Sequence, residues 1–147
     1  MNIFEAIRQD HEKQRSLLKI LAETSGDTPA RQEYYQELKD QLESHAIAEE
    51  RFFYSPLIDT DEAIELSRHG MAEHHEIDEL LEKLDETDMS SSGWLHHLKA
   101  LQELVEHHFN DEEQDFFPIA DKVLSKQQKN HLAKEYRDEM QAELHEH

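Results

Sequence analysis

The 147 residues suffice for one domain with a single core, and 15 Lys plus Arg against 35 Asp plus Glu leave a formal charge of −20. That charge opposes docking on nucleic acid or an anionic membrane, and the absence of cysteine excludes disulfides, thiolate metal sites and thiol catalysis. No apolar run approaches the length of a bilayer span, and the start MNIFEAIRQDHEKQR lacks the basic-then-apolar layout of a secretory signal, so the expected location is cytoplasmic.

Only 3 Gly and 3 Pro interrupt a chain rich in helix formers. A helix is expected near 2–23, ending at Ser25-Gly26-Asp27. Thr28 as cap and Pro29 at the first helical position open a second, near 29–54. Ser55-Pro56 closes it, and the capping-box spacing of Asp59 and Glu62 points to a third near 61–87. Met89-Ser90-Ser91-Ser92-Gly93 separates this from a fourth, near 93–123. Ser125 and Gln128, again spaced as a capping box, introduce a tail helix near 126–144. Loops this short force antiparallel neighbours. The expected fold is all-α: an up-down-up-down four-helix bundle over 1–123, with 124–147 as a tail helix packed on it or extending it.

Each helix carries an apolar stripe at the 4, 3, 4, 3 spacing of a bundle seam. The stripes run Ile7, His11, Gln14, Leu18, Leu21; then Leu38, Leu42, His45, Glu49, Phe52; then Gly70, His74, Ile77, Leu81, Leu84; and Leu101, Val105, His108, Glu112, with Phe116 a turn on. Every stripe has a histidine where a bundle ordinarily places leucine. The chain also repeats. His11 and His74, His45 and His108, and Glu49 and Glu112 are each 63 positions apart. Leu18 and Leu81, Leu21 and Leu84, Leu38 and Leu101, and Phe53 and Phe116 keep that offset, whereas Pro56 and Pro118 slip by one residue.

Residues four apart on a helix share a face, so His45 with Glu49, and His108 with Glu112, can address one point. Imidazoles and carboxylates buried without partners cost several kcal/mol each. Four histidines and two glutamates meeting inside a bundle therefore call for a divalent metal pair, and a thiolate-free set of this kind suits iron, manganese or zinc. The pattern His-x-x-x-Glu alone is weak. His69/Glu73, His75/Glu79 and His131/Glu135 share it, yet they lie off the stripes or in the tail and are expected to be solvated pairs. His96, His97, His107, His145 and His147 are read the same way. Phe52, Phe53, Phe116 and Phe117 read as ordinary core closing one end of the bundle, and Tyr34 and Tyr54 as packing residues near enough to donate a hydrogen bond.

The segments Asp10-His11-Glu12, His45-Ala-Ile-Ala-Glu49-Glu50, Glu73-His74-His75-Glu76 and His108-Phe-Asn-Asp-Glu112-Glu113 together resemble the hemerythrin-like (HHE cation-binding) family over about residues 1–123. The resemblance implies a non-haem di-iron centre joined by an oxo or hydroxo bridge, with His11, His45, His74 and His108 as ligands and Glu49 and Glu112 bridging. Manganese in place of one iron suits the same ligands. His74 fits the stripe and the offset; His75 does not. Oxygen-carrying members place a fifth histidine where Gly70 stands, and an acid five residues after the fourth-helix histidine, where this chain has Glu113. Gly70 is thus expected to leave space beside an open coordination position. The implied activity is binding of, or reaction with, a small diatomic or peroxide ligand (dioxygen, nitric oxide or hydrogen peroxide). The alternative is an iron-sensing or iron-buffering protein without turnover. Nothing in the sequence specifies a protein partner or a homo-oligomer, or decides whether the protein is an enzyme.

Overall fold

The computed structural model describes residues 1–146, so His147 lies outside the described residues. Seven helical segments follow in order: α1 (Ile3–Ala22), α2 (Pro29–Glu49), α3 (Ser55–Leu57), α4 (Ile64–Glu86), α5 (Ser92–Asp111), α6 (Phe117–Val123) and α7 (Lys126–Glu146). There is no strand among the described residues, and no helix is long and apolar enough to cross a membrane. The hairpins α1–α2 and α4–α5 pack side by side as an up-down-up-down four-helix bundle, and α7 lies along α1 and α2.

Local chemistry explains most boundaries. Asn2 and Glu5 form a reciprocal capping box at the start of α1. Thr28 accepts from the Arg31 amide with Pro29 at the first turn of α2, and Ser91 accepts from the Trp94 amide at the start of α5. Ser125 and Gln128 make the expected box before α7. The Asp59–Glu62 box does not form. The Thr60 hydroxyl turns back to the Leu57 carbonyl, the Thr60 carbonyl accepts from the Ala63 and Ile64 amides, and α4 starts at Ile64 without a side-chain cap.

Two wide π-helical turns, Glu50–Tyr54 and Glu112–Phe116, interrupt the second and fourth bundle helices just beside the His-x-x-x-Glu motifs. Each precedes a segment with proline in its first turn, where a proline inside a regular helix would clash with the carbonyl four residues back. The first turn begins after Glu49 and the second on Glu112, the one-residue slip between Pro56 and Pro118. The extra residue also rotates the helix face. Phe53 is fully buried where the stripe pointed to Phe52, and Phe52 is only partly buried at the edge of the core.

The core falls into two apolar clusters. One, built around Ile3, Phe4, Ile7, Phe53 and Phe116, also takes Ala133, Tyr136 and Met140 from α7. The other holds Leu18, Leu21, Leu38, Leu81, Leu101 and Trp94, and Tyr34 packs against it. Between them lies a strongly polar layer.

Candidate metal centre

That layer contains all six stripe residues with ligand chemistry. His11, His45, Glu49, His74, His108 and Glu112 are each at most 4% exposed. α1 supplies His11, α2 supplies His45 and Glu49, α4 supplies His74 and α5 supplies His108, with Glu112 on the following π turn. Their donor atoms fall into two groups that share Glu49: His11, His45, Glu49 and Glu112, and Glu49, His74 and His108. Glu49 Oε2 is 3.5 Å from His45 Nε2, and its Oε1 is 3.0 Å from His74 Nε2 and 3.7 Å from His108 Nε2. Glu112 Oε1 is 3.3 Å from His11 Nε2, and its Oε2 is 3.6 Å from His108 Nε2. Each carboxylate thus turns one oxygen toward each group, the placement that two adjacent cations require of a bridging ligand.

The donor set also fits cations by what it leaves unpaired. His11 Nε2, His45 Nε2, His74 Nε2, Glu49 Oε2 and Glu112 Oε1 are buried without a hydrogen bond. Five such atoms converging on one small volume form a cradle for positive charge, since isolated buried polar groups each cost about 1–3 kcal/mol.

The outer nitrogens of three of the four rings are held by hydrogen bonds. His11 Nδ1 is 2.6 Å from Glu113 Oε2, and Arg15 braces that carboxylate at 3.2–3.3 Å. His108 Nδ1 is 2.8 Å from Glu73 Oε1, and His45 Nδ1 is 2.5 Å from the Tyr136 hydroxyl, which donates to Asp10 Oδ2 at 2.5 Å. His74 Nδ1 has Glu50 at a looser 3.5 Å. A proton on Nδ1 leaves the Nε2 lone pair facing the centre, the tautomer a metal needs. The duplication extends to these partners. Glu50 and Glu113 are 63 positions apart and serve His74 and His11; Asp10 and Glu73, also 63 apart, serve His45 and His108. Glu73 reaches its histidine directly, whereas Asp10, one methylene shorter, does so through Tyr136 of α7.

Tyr54 breaks the symmetry inside the centre. Its ring stacks on His74 at 5.3 Å, as its counterpart Phe117 lies parallel to His11 at 6.5 Å. Its hydroxyl, which phenylalanine lacks, lies 2.8 Å from Glu49 Oε1 and 2.5 Å from Glu112 Oε2. A Cβ on Gly70 would stand 2.5 Å from both Cζ and the hydroxyl of Tyr54. The side of Gly70 that a Cβ would occupy is therefore filled by the tyrosine, and the space left beside the glycine is a cavity of about 20 Å³.

Electrostatics follow from burial and crowding. Burial pushes the His45 imidazolium pKa down to about 3, although Glu49 opposes this, so the ring is neutral. Burial and the neighbouring Glu49 charge push Glu112 up to about 7. At His108 burial is outweighed by Glu49 and Glu73, which raise it to about 10. The metal-free centre thus keeps protons that an incoming cation must displace.

Glu73 corrects the reading of His69/Glu73 as a solvated pair: it is 5% exposed and bonded to His108. The offset from Asp10 was the available signal. Tyr136 gave none, because the tail has no counterpart in the repeat. His75 and His131 are exposed and pair with Glu79 and Glu135, as the spacing suggested.

A helical bundle enclosing a buried histidine–carboxylate layer defines a metal-binding protein class. The family model of the hemerythrin HHE cation-binding domain matches residues 2–120, and the chain belongs to that family. An uncharacterised hemerythrin-like protein of Schizosaccharomyces pombe is 28% identical over 91% of this chain and 66% of its own length. A protein of Nostoc sp. named DNA nickase is 29% identical over 93% of this chain and 38% of its own length. The chain therefore spans less than two thirds of either relative. The crystal structure of a hemerythrin HHE cation-binding domain-containing protein from Mycobacterium kansasii shares the fold, with a TM-score of 0.88 over 99% of this chain and 89% of that one, at 21% identity.

Proposed function

We propose that the chain is a hemerythrin-like non-haem di-iron protein that binds or reacts with dioxygen, nitric oxide or hydrogen peroxide. The observation that carries this is the two-faced placement of Glu49 and Glu112, each with one oxygen toward each histidine group. His11 and His45 would hold one ion and His74 and His108 the other. When bound, the pair supplies redox change and exchangeable coordination positions. The chain supplies the rest. Glu113, Tyr136 and Glu73 orient the imidazoles of His11, His45 and His108, Phe53, Phe116 and Phe117 exclude water from one side, and Tyr54 holds a proton between the two carboxylates.

Small ligands have two approaches. A cleft of about 590 Å³ between α2 and α4 reaches His74, lined by acidic side chains including Glu50 and Asp78. A cavity of about 20 Å³, water-sized, reaches His108 and Glu112 beside Gly70. Neutral diatomics and peroxide suit these entrances better than anions do. A net charge of −20 works against a phosphate backbone, so DNA nicking is not part of this reading. The test is metal content together with the visible spectrum of iron-loaded protein before and after azide, peroxide or nitric oxide. Two irons per chain at the buried centre and a ligand-dependent spectrum support the reading; iron without any spectral response leaves a buffering or sensing protein instead.

A further inference from the structure

A second convergence of metal-type side chains lies outside the buried centre, on the α4–α5 face. His69 and Glu73 are one turn apart on α4, and His107 and Asp111 one turn apart on α5. His69 Nε2 is 3.5 Å from Glu73 Oε2 and 3.9 Å from Asp111 Oδ2; His107 Nε2 is 3.6 Å and 3.0 Å from the same two oxygens. The donor atoms of His69, Glu73 and Asp111 all lie within 4.8 Å of one another. Adjacent ligand atoms around a tetrahedral ion with bonds near 2.1 Å stand about 3.4 Å apart. Three of the four contacts are long for hydrogen bonds yet near that spacing. By contrast, His75–Glu79 at 2.9 Å and His131–Glu135 at 2.7 Å close as simple pairs.

Two further observations single the cluster out. Glu73 is buried, and its inner oxygen is fixed by His108, so its outer oxygen is aimed at the two exposed imidazoles. In the repeat, Glu73 corresponds to Asp10, whose oxygen is capped by the Tyr136 hydroxyl from α7. α7 packs along α1 and α2, whereas on the α4–α5 face Glu73 meets its histidine directly and its other oxygen is left to His69 and His107. The water-sized cavity lies directly inside, lined by His69, Glu73 and Asp111 together with His108 and Glu112 of the buried centre.

We infer that His69, Glu73 and Asp111, with His107 beside them, form a third, mononuclear site for a divalent transition-metal ion at the mouth of this cavity, through which ions reach the buried pair. One imidazole and two carboxylates without thiolate suit zinc, ferrous iron or manganese. The site stands on its own geometry; only its role as an entrance rests on the buried pair proposed above.

Zinc alone is titrated into metal-free protein against a chromophoric chelator, for the unaltered chain, for His69→Ala/His107→Ala and for Asp111→Asn. These side chains are exposed or half-buried, and Glu73 stays in place to hold His108. The expected result is one equivalent fewer in both variants and no loss in a His75→Ala control. Equal stoichiometry in all the proteins overturns the site. The totals separate the two readings: three against two supports both, one against none keeps the surface site and removes the buried pair, and two against two does the reverse. As an entrance, the site requires ferrous iron to fill the buried pair more slowly in the double variant; equal filling rates overturn that role.

Discussion

Tyr136→Phe removes one oxygen atom from a helix outside the four-helix bundle, and its consequences can be worked through in some detail. The hydroxyl accepts from His45 Nδ1 at 2.5 Å and donates to Asp10 Oδ2 at 2.5 Å. Its loss leaves a buried N–H and a largely buried carboxyl without their shared partner, a cost of about 2–4 kcal/mol at typical values for such groups. A freed outer nitrogen also loosens the ring that faces the metal, and such losses weaken metal binding by about 10–100-fold. Two 2.5 Å legs meeting at a tetrahedral angle put Asp10 Oδ2 roughly 4 Å from His45 Nδ1, beyond hydrogen-bond reach. One added methylene closes about 1.3 Å of that gap, to nearly the 2.8 Å at which Glu73 holds His108 in the other half of the repeat. Asp10→Glu in the Tyr136→Phe background is therefore expected to restore most of the metal affinity. Chelator competition on the single and double variants measures it. A double variant no tighter than Tyr136→Phe alone refutes the relay, as does a Tyr136→Phe protein whose affinity is unchanged while only its stability falls.

Other consequences are equally specific. Gly70→Ala drives a Cβ into the Tyr54 ring, which is pinned between His74 and Phe116; overpacking of about 1–3 kcal/mol exceeds the roughly 1 kcal/mol of helix propensity gained. In a Tyr54→Ala background the same change is expected to stabilise, so urea denaturation of the four proteins gives opposite signs if the contact is real and equal changes if it is not. Glu49→Ala or Glu112→Ala is expected to cost one of the two buried ions, and His75→Ala none, by metal analysis of purified protein. Metal affinity should rise with pH across the neutral range, because a cation displaces the protons that burial beside Glu49 keeps on Glu112 and that Glu49 and Glu73 keep on His108; calorimetry in buffers of different ionisation heat reads the released protons, and a flat profile from pH 6 to 8 contradicts it. Glu113, held down to about 2 by His11 and Arg15 despite partial burial, stabilises the metal-free fold fully above its unfolded value near 4.5, and that contribution is lost as pH falls toward 2. Acid titration of Arg15→Ala should therefore show unfolding beginning at a higher pH than in the unaltered chain.

The bundle was readable because stripe spacing and short capped loops each act locally. Thr28-Pro29 and Ser125–Gln128 form caps where the letters place them, and four stripes with one histidine apiece converge because helix periodicity leaves them no other common direction. The misreadings share a cause. Asp59–Glu62 fails as a box because Thr60 wins a competing hydrogen bond, and Phe52 misses the core because a π turn inserts a residue that a fixed period of 3.6 cannot register. Glu73 looked solvated because its stripe position is off-core; it is buried because it crosses to the neighbouring helix to reach His108. The ring against the Cβ side of Gly70 has no local signal, because it comes from Tyr54, sixteen positions earlier in the chain. The internal repeat carries information that periodicity does not: it pairs Asp10 with Glu73 and Glu50 with Glu113.

Anomalous diffraction from crystals of the metal-loaded protein tests the central claim most directly. The account predicts two peaks about 3.5–4 Å apart inside the bundle, with Glu49 and Glu112 each contacting both and the histidines divided as His11 with His45 and His74 with His108. A single peak in that layer, or ions bound only at surface carboxylates while the six side chains remain metal-free, contradicts it.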